Sequence, residues 1–241
     1  MVKEGSPKHR YELFSEYKQN RKVKEDDPKF QEKYMELMGF KEKVDEAVAF
    51  SLKNLEVTVL RHPKLEADDV IANYARFLSE KGEEVVVVSN DKDFAQLLWE
   101  GHETVSVWDP GTKEFFSKPS VNPMVVKALT GDKSDNIPGI PGYGPKKAEK
   151  AASDEEFSRM YADNGELAAE FKRNLSLIEF AKMADEDWYR VEMMRGKWDP
   201  AAIMIDFHTY GFSTLVKEKA LQSYYDTFGE MVPAKLPVQT R

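Results

Sequence analysis

Residues 55–60 read LEVTVL, residues 66–78 read EADDVIANYARFL and residues 84–88 read EVVVV. The first segment alternates and is rich in β-branched residues, which predicts a strand. The second has apolar residues at helical spacing, and the third is an apolar run typical of a strand covered on both faces. A short helix at 94–100 and a strand at 104–108 follow. This alternation predicts an α/β fold, with a parallel twisted sheet flanked by helices.

The flanking segments extend the pattern on both sides. Upstream, residues 8–29 are rich in Lys and Arg, and residues 28–54 have helical periodicity. Downstream, the Gly- and Pro-rich residues 131–145 predict a structured set of turns within an otherwise helical region. The expected domains are an α/β domain over residues 1–120 and a helical region over residues 121–241. Further helices are expected near 146–152, 154–162, 166–184 and 214–229.

Composition excludes several classes of protein. The 241 residues include no Cys, which rules out a disulfide scaffold, a thiolate metal site and a Cys nucleophile. This composition fits a reducing compartment, and the cytoplasm is the expected location. No apolar run approaches the length of a membrane span, so no membrane partner is expected. The net charge of −8 argues against nucleic-acid binding, unless the acidic groups are clustered to hold cations.

Acidic residues form three clusters that follow strands or begin helices. The clusters are Glu66, Asp68 and Asp69; Asp91 and Asp93; and Asp132 and Asp135. Ligands of open α/β sheets bind beyond the carboxyl ends of strands, so the first two clusters should meet at one rim. Sites made of oxygen ligands alone suit Mg²⁺ or Mn²⁺ rather than zinc, and two such ions about 4 Å apart are a recurrent device for phosphodiester cleavage. The alternative for any one cluster is ordinary helix capping.

A glycine-rich loop provides a second constellation. Gly139, Gly142 and Gly144 precede a helix that carries Lys146 and Lys147 in its first turn. Glycines before a helix allow backbone N–H groups to face an anion, and the two lysines would add charge for a phosphate. Such a loop would hold a DNA backbone without reading its sequence. The alternative is a plain Gly/Pro loop, although the two lysines and the preceding Asp-Asn-Ile-Pro-Gly make the pattern more specific.

Four segments resemble those of a known family. They are Arg10–Arg21 (RYELFSEYKQNR), Glu66–Asp69 (EADD), Ser89–Leu97 (SNDKDFAQL) and Gly131–Lys147 (GDKSDNIPGIPGYGPKK). In order and spacing they resemble the phage- and bacterial-type 5′→3′ exonuclease and flap endonuclease family, which combines a PIN-like domain with a helix-three-turn-helix element. The resemblance extends from about residue 8 to residue 150.

The resemblance implies roles for individual residues. It implies that Glu66, Asp68 and Asp69 belong to a first metal site, and that the other four acids form a second. It implies that Lys18 and Arg21 contact the scissile phosphate, with a helical arch at about 18–54 whose lysines and arginines, Lys22 and Lys24 included, guide a single-stranded 5′ end. The glycine loop would bind duplex, with a possible K⁺ ion.

The implied activity is Mg²⁺-dependent hydrolysis, with Mn²⁺ as a substitute, of DNA or RNA–DNA hybrid carrying a 5′ flap or 5′ end. Replication or repair is the implied process. The same acidic rim also occurs in PIN-like ribonucleases, which would lack the glycine loop after the sheet.

One departure from the family concerns the N-terminus. The family begins with a strand-helix-strand unit that carries two Asp residues, and this chain offers too few residues for it. The second of those Asp residues would fall at Lys3, and Glu4 is offset from it by one position. Three explanations are open: a second chain supplies the unit, the sequence is a fragment or has a wrongly assigned start, or the chain binds branched DNA without cutting it.

Overall fold

The computed structural model describes residues 1–21, 28–153 and 165–229. Six strands lie in these ranges: β1 Val2–Lys3, β2 Thr58–Arg61, β3 Val85–Val88, β4 Val105–Asp109, β5 Glu114–Phe115 and β6 Glu192–Arg195. The helices there are α1 Lys8–Leu13, α2 Phe30–Asn54, α3 Ala67–Glu80, α4 Ala95–Trp99, α5 Pro123–Thr130, α6 Pro145–Ala152, α7 Gly165–Ile178, α8 Asp185–Trp188, α9 Pro200–Thr209 and α10 Glu218–Phe228. None of the helices in this part of the chain combines the length and hydrophobicity needed to cross a membrane.

The chain forms two compact units. The first comprises Met1–Lys3, Val23–His62 and Asp185–Arg241, and the second comprises Glu4–Lys22 and Pro63–Ala184. These units do not follow the expected boundary at residue 120, because α5, α6 and α7 belong to the same unit as β3, β4 and β5. The expected helix at 154–162 and the basic residues Lys22 and Lys24 lie outside the described residues.

The first unit contains a three-stranded sheet in the order β1-β2-β6. Strand β2 is parallel to β1, with Val2 opposite Leu60, and antiparallel to β6, with Val59 opposite Met194. Aromatic side chains pack the helical part of this unit, and Phe207 lies against Phe50 and Tyr224 at ring-centroid distances of 6.4 and 5.2 Å. The strand β6 was not predicted, because Glu192-Met-Met-Arg195 has no alternating apolar pattern.

The second unit contains the other sheet, in the order β3-β4-β5. Strands β3 and β4 are parallel, and β5 is antiparallel to β4. One face of this sheet is the core: Val87, Val105 and Val107 pack against Ala72 of α3 and Leu97 of α4. Apolar residues at helical spacing on α3 thus meet a β-branched strand run, as the sequence predicts.

The α/β class with helices flanking sheets is confirmed, but the strands are arranged differently from one continuous sheet. Strands β2 and β3, which were expected in the same parallel sheet, lie in separate sheets. Within the described ranges, β3 pairs with β4 alone, and Val86 and Val88 on its second face are 55% and 62% exposed. A run of four valines predicts that both faces of β3 are packed against other elements, whereas the structure shows packing on one face.

Candidate functional site

A pocket of about 140 Å³ in the second unit collects the acidic residues of all three clusters. Its lining includes every predicted metal ligand: Glu66, Asp68, Asp69, Asp91, Asp93, Asp132 and Asp135. Lys18 and Arg21, the predicted phosphate contacts, line it as well, together with Glu4, Arg10, Tyr17 and Lys127. Residues that are separated by up to 131 positions in sequence therefore meet in one polar cavity.

The local backbone explains how each cluster reaches the pocket. Glu66 is the N-cap of α3, and its backbone N–H donates to Asp69 Oδ2 at 3.1 Å, which is half of a capping box. Asp91 follows β3 and accepts from the backbone N–H of Asp93 at 2.9 Å. Asp132 begins a tight hairpin in which its backbone is paired with that of Ile137 by two hydrogen bonds of 2.8 and 2.9 Å. Capping and turn formation thus occur in the same residues that line the pocket.

Arg10 is the most deeply buried cation of the pocket. Its Nη1 donates to Glu66 Oε2 at 2.7 Å and to Asp69 Oδ2 at 2.6 Å, and its Nη2 donates to Asp69 Oδ1 at 2.8 Å. Burial alone would lower the pKa of Arg10, but the hydrogen bonds and charges of Asp69 and Glu66 outweigh burial and raise this pKa above its ordinary value. The guanidinium is therefore a permanent charge.

The predicted basic pair, Lys18 and Arg21, contacts acidic residues of the pocket. Lys18 Nζ contacts Glu66 Oε1 at 2.5 Å and Asp135 Oδ2 at 3.6 Å, and Arg21 pairs with Asp135. Lys18 has a positive φ of 53°, in a turn where its backbone N–H donates to the Asp135 carbonyl at 2.9 Å. Arg21 is half-exposed, with a side-chain exposure of 55%. Both cations therefore border the cavity, where a phosphate would replace the carboxylates as their partner.

Lys127 lies between the second and third acidic clusters. Its Nζ contacts both oxygens of Asp93 at 2.6 Å and Asp132 Oδ2 at 2.7 Å. Burial would lower the pKa of Lys127, but Asp93 and Asp132 more than compensate and raise it. The same contacts, with Ser134, lower the pKa of Asp132 despite its burial. Lys127 is thus a cation held where carboxylates converge.

Asp68 has a different environment from the paired acids. Burial, and then the negative charges of Asp91 and Glu4, raise its pKa to about 7. No ion pair to Asp68 occurs within 4.0 Å among the described residues. A carboxyl group in these surroundings is stabilised by an added cation, since the cation favours the charged form.

The acidic side chains of the pocket offer the type of ligand atom that suits a hard divalent ion. Its ligating atoms are carboxylate oxygens, which suit Mg²⁺ and Mn²⁺. Within the described ranges, no three acidic or His side chains converge closely enough to hold one ion as they stand. Lysine and arginine side chains lie between them instead, so an ion would have to replace some of these cations as a partner of the carboxylates.

The glycine loop connects α5 to α6. Gly131 and Gly139 approach so closely that a Cβ on Gly139 would lie 2.4 Å from the Thr130 carbonyl oxygen. Gly142 has a φ of +85°, a conformation that side chains disfavour. Gly144 is the N-cap of α6, and Lys146 and Lys147 are exposed in the first turn. The loop therefore presents both lysines to solvent on a compact backbone.

Four residues of the pocket were missed by the sequence analysis. Glu4 accepts from the backbone N–H of Ala67 at 3.0 Å and lines the pocket, although it is offset from the family position. Tyr17 is 2% exposed, and its hydroxyl donates to Glu66 at 3.0 Å. Arg10 and Lys127 had a detectable signal, since Arg10 begins the segment Arg10–Arg21 and Lys127 precedes the segment Gly131–Lys147 by a few residues.

Comparisons with known proteins agree with these observations. A sequence model of the family described as "5'-3' exonuclease, N-terminal resolvase-like domain" matches residues 1–128. A 5'-3' exonuclease of Aquifex aeolicus is 43% identical over 106 residues, which is 40% of this chain and 36% of that protein. A 5'-3' exonuclease of Mycoplasma pneumoniae is 33% identical over 156 residues, covering 59% of this chain and 48% of that one. The chain therefore spans less than half the length of these curated relatives.

Solved structures provide a match in fold. The T5 D15 protein co-crystallised with metal ions matches with a TM-score of 0.55 and 20% identity, over 74% of this chain and 73% of that chain. A complex of the T5 D15 flap endonuclease with DNA and metal ions matches with a TM-score of 0.51, over 74% and 72% of the two chains. The family match covers more than half of the 241 residues, and the chain belongs to the 5'-3' exonuclease family.

Proposed function

We propose that this chain is a Mg²⁺-dependent 5′→3′ exonuclease and structure-specific 5′-flap endonuclease, which hydrolyses phosphodiester bonds of DNA or RNA–DNA hybrid in replication or repair. The observation that carries the proposal is the pocket itself. It brings three separate acidic segments together with Lys18 and Arg21. Carboxylates and cations on one wall suit a reaction in which a phosphate is bound and its developing charge is stabilised.

The acidic residues divide into two candidate ligand sets for two ions. Glu66, Asp68 and Asp91 line the pocket as the first proposed set, and the charges of Asp91, Glu4 and Glu66 all act on Asp68. Asp93, Asp132 and Asp135 line it as the second proposed set, in which Lys127 contacts Asp93 and Asp132 and Arg21 contacts Asp135. When bound, divalent ions would supply Lewis-acid polarisation of the phosphate. Asp69, the remaining predicted ligand, is assigned a different role below.

The chain's own cations perform the positioning. Lys18 and Arg21 now contact Glu66 and Asp135, and these contacts would be given up to a phosphate oxygen when an ion takes the carboxylates. Arg21 is well suited to this because its fork can hold two oxygens of one phosphate. Both residues thus hold the scissile phosphate while its charge develops.

Duplex binding is proposed for the glycine loop. The exposed Lys146 and Lys147 would contact backbone phosphates, and Gly139, Gly142 and Gly144 would allow close approach of the DNA backbone. Carbonyl groups of the same loop are candidates for a K⁺ ion. Neutralising two phosphates would make duplex affinity fall with salt concentration.

A second polypeptide is also part of the proposal. Strand β3 has an unpaired edge within the described residues, and Val86 and Val88 on its bare face are 55% and 62% exposed. An exposed apolar edge strand is a template for pairing with another chain. A strand and helix supplied in trans would pair with this edge and cover the face, which supports a partner chain for full activity.

The test is cleavage of a labelled 5′-flap duplex in Mg²⁺ with the purified chain, alone and with candidate partner chains. Asp68→Asn with Asp91→Asn should reduce cleavage at least about 100-fold, because removing one preorganised charge-stabilising group alone costs that much. Glu80→Gln, an exposed acid on the same helix as Asp68, is the control and should keep full activity. Cleavage retained by the double variant would refute the site assignment, and DNA binding without any product would refute the activity.

A further inference from the structure

Asp69 is more deeply buried than the other acidic residues of the pocket, and each of its two oxygens accepts two hydrogen bonds. Its exposure is 0%. Oδ1 accepts from Arg10 Nη2 at 2.8 Å and from the backbone N–H of Ala181 at 2.8 Å. Oδ2 accepts from Arg10 Nη1 at 2.6 Å and from the backbone N–H of Glu66 at 3.1 Å. A carboxylate offers about four lone-pair sites, and in Asp69 all of them are used.

The partner residue is equally saturated. Arg10 has a side-chain exposure of 3% and a guanidinium with five N–H donors. Besides its three bonds to Glu66 and Asp69, its Nε donates to the Leu177 carbonyl at 3.1 Å and its Nη2 to the Glu179 carbonyl at 3.0 Å. Five donors thus meet five acceptors. An ion that took Asp69 as a ligand would leave part of a buried guanidinium without partners, which is costly.

Asp68, the preceding residue on α3, has the opposite surroundings. It is half-buried and lines the pocket, as do the acidic residues Asp91 and Glu4. Successive residues of a helix point about 100° apart, so Asp68 and Asp69 present their carboxylates to different surroundings. The motif Glu-x-Asp-Asp therefore combines a carboxylate with no ion pair within 4.0 Å among the described residues and one that already has a complete set of donors.

We propose that Asp69 and Arg10 are a pair of positioning residues and that Asp69 is not a metal ligand. The pair joins three segments: the first turn of α3 with Glu66 and Asp68, the helix α1, and the residues 177–181 at the C-terminal end of α7. It fixes where Glu66 and Asp68 point without contacting the substrate or an ion. This inference rests on the proposed function, since the residues it positions are the proposed metal ligands.

The first test uses the unaltered chain. Crystals soaked in Mn²⁺ should show anomalous density in the pocket at more than about 4 Å from both oxygens of Asp69, with the bonds of Arg10 intact. An ion within coordination range of Asp69, about 2.5 Å or less, would overturn the inference. A pocket without Mn²⁺ would overturn the proposed metal function and the inference together, so the two failures are distinguishable.

The second test compares matched variants in solution, by calorimetric titration with Mn²⁺ and by thermal unfolding in EDTA. Asp68→Asn should raise the Kd for Mn²⁺ at least tenfold and leave the Tm unchanged or higher, since a repelled carboxylate is removed. Asp69→Asn should lower the Tm and reduce kcat, with the Kd within threefold of the parent value. A tenfold rise in Kd with an unchanged Tm in Asp69→Asn would contradict the proposal.

A further variant keeps the second test decisive if Asp69→Asn does not fold. Arg10→Lys retains the charge but has three donors in place of five, so it cannot satisfy the same acceptors. It should show the same pattern as Asp69→Asn: a lower Tm and kcat, with a Kd for Mn²⁺ within threefold of the parent value. A tenfold weaker Kd in Arg10→Lys with an unchanged Tm would overturn the positioning role.

Discussion

Different cations neutralise the acidic residues on two sides of the pocket, and these cations differ in burial and in the number of hydrogen bonds that they make. On one side, the buried guanidinium of Arg10 makes five hydrogen bonds to Glu66, Asp69 and two carbonyl groups. On the other, the ammonium of Lys127 bridges Asp93 and Asp132 from a side chain that is 28% exposed. The planar guanidinium of Arg10, with all its donors used, is a fixed part of the fold. The flexible side chain of Lys127 can instead move its ammonium away from the carboxylates. We therefore propose that a divalent ion would replace a protein cation on the Lys127 side.

The largest effect is expected on the Arg10 side. Arg10→Met removes all five bonds and leaves the fully buried Asp69 without its cation, so the free energy of unfolding should fall by about 3–5 kcal/mol. Mn²⁺ should not restore this loss, because Asp69, although it lines the pocket, is 0% exposed and is proposed not to be a metal ligand. The measurement is chemical denaturation in EDTA and in Mn²⁺. Lys8→Met, an exposed position on the same helix, is the control. Recovery of Arg10→Met in Mn²⁺ would show that the two sides do not differ.

A smaller effect, with the opposite response to metal, is expected on the other side. Lys127→Met leaves Asp93 and Asp132 facing each other, and partial exposure limits the loss of unfolding free energy in EDTA to about 1 kcal/mol. Mn²⁺ should restore stability here, since an ion bound to the native state stabilises it. The affinity for Mn²⁺ should also rise several-fold because the competing ammonium is gone. Calorimetric titration of parent and variant checks this, and a weaker affinity would contradict the exchange of Lys127 for an ion.

Much of the site was predictable from sequence because the acids carry local signals. Glu66 and Asp69 stand at a helix start, and Asp91 and Asp132 follow or begin tight turns, so their spacing alone indicated convergence. The α/β alternation was equally local. What failed was long-range pairing: Asp69 meets Ala181 across 112 positions, and β2 pairs with the unpredicted β6.

The role of each acid depends on contacts that no local pattern encodes. Asp68 and Asp69 are identical in type and adjacent in sequence, yet burial and Arg10 give them different surroundings. Arg10 reaches Leu177 across 167 positions, so its five acceptors could not be read from its own segment. Sequence thus identified which residues enter the pocket, and tertiary packing determined which of them are already satisfied.

The smallest effect on the free energy of unfolding is expected for Arg21, at the exposed edge of the pocket, where the effect on the cleavage rate should nevertheless be large. Arg21 has a side chain that is 55% exposed and pairs with Asp135, so Arg21→Ala should change the free energy of unfolding by less than about 1 kcal/mol. Cleavage of a 5′-flap duplex should nevertheless fall about 10- to 100-fold, because a donor to the phosphate is lost where charge develops. Single-turnover rates at saturating chain separate this from weaker DNA binding. If the rate at saturation equals that of the parent, Arg21 only binds DNA. Other residues of the pocket would then stabilise the charge that develops on the phosphate.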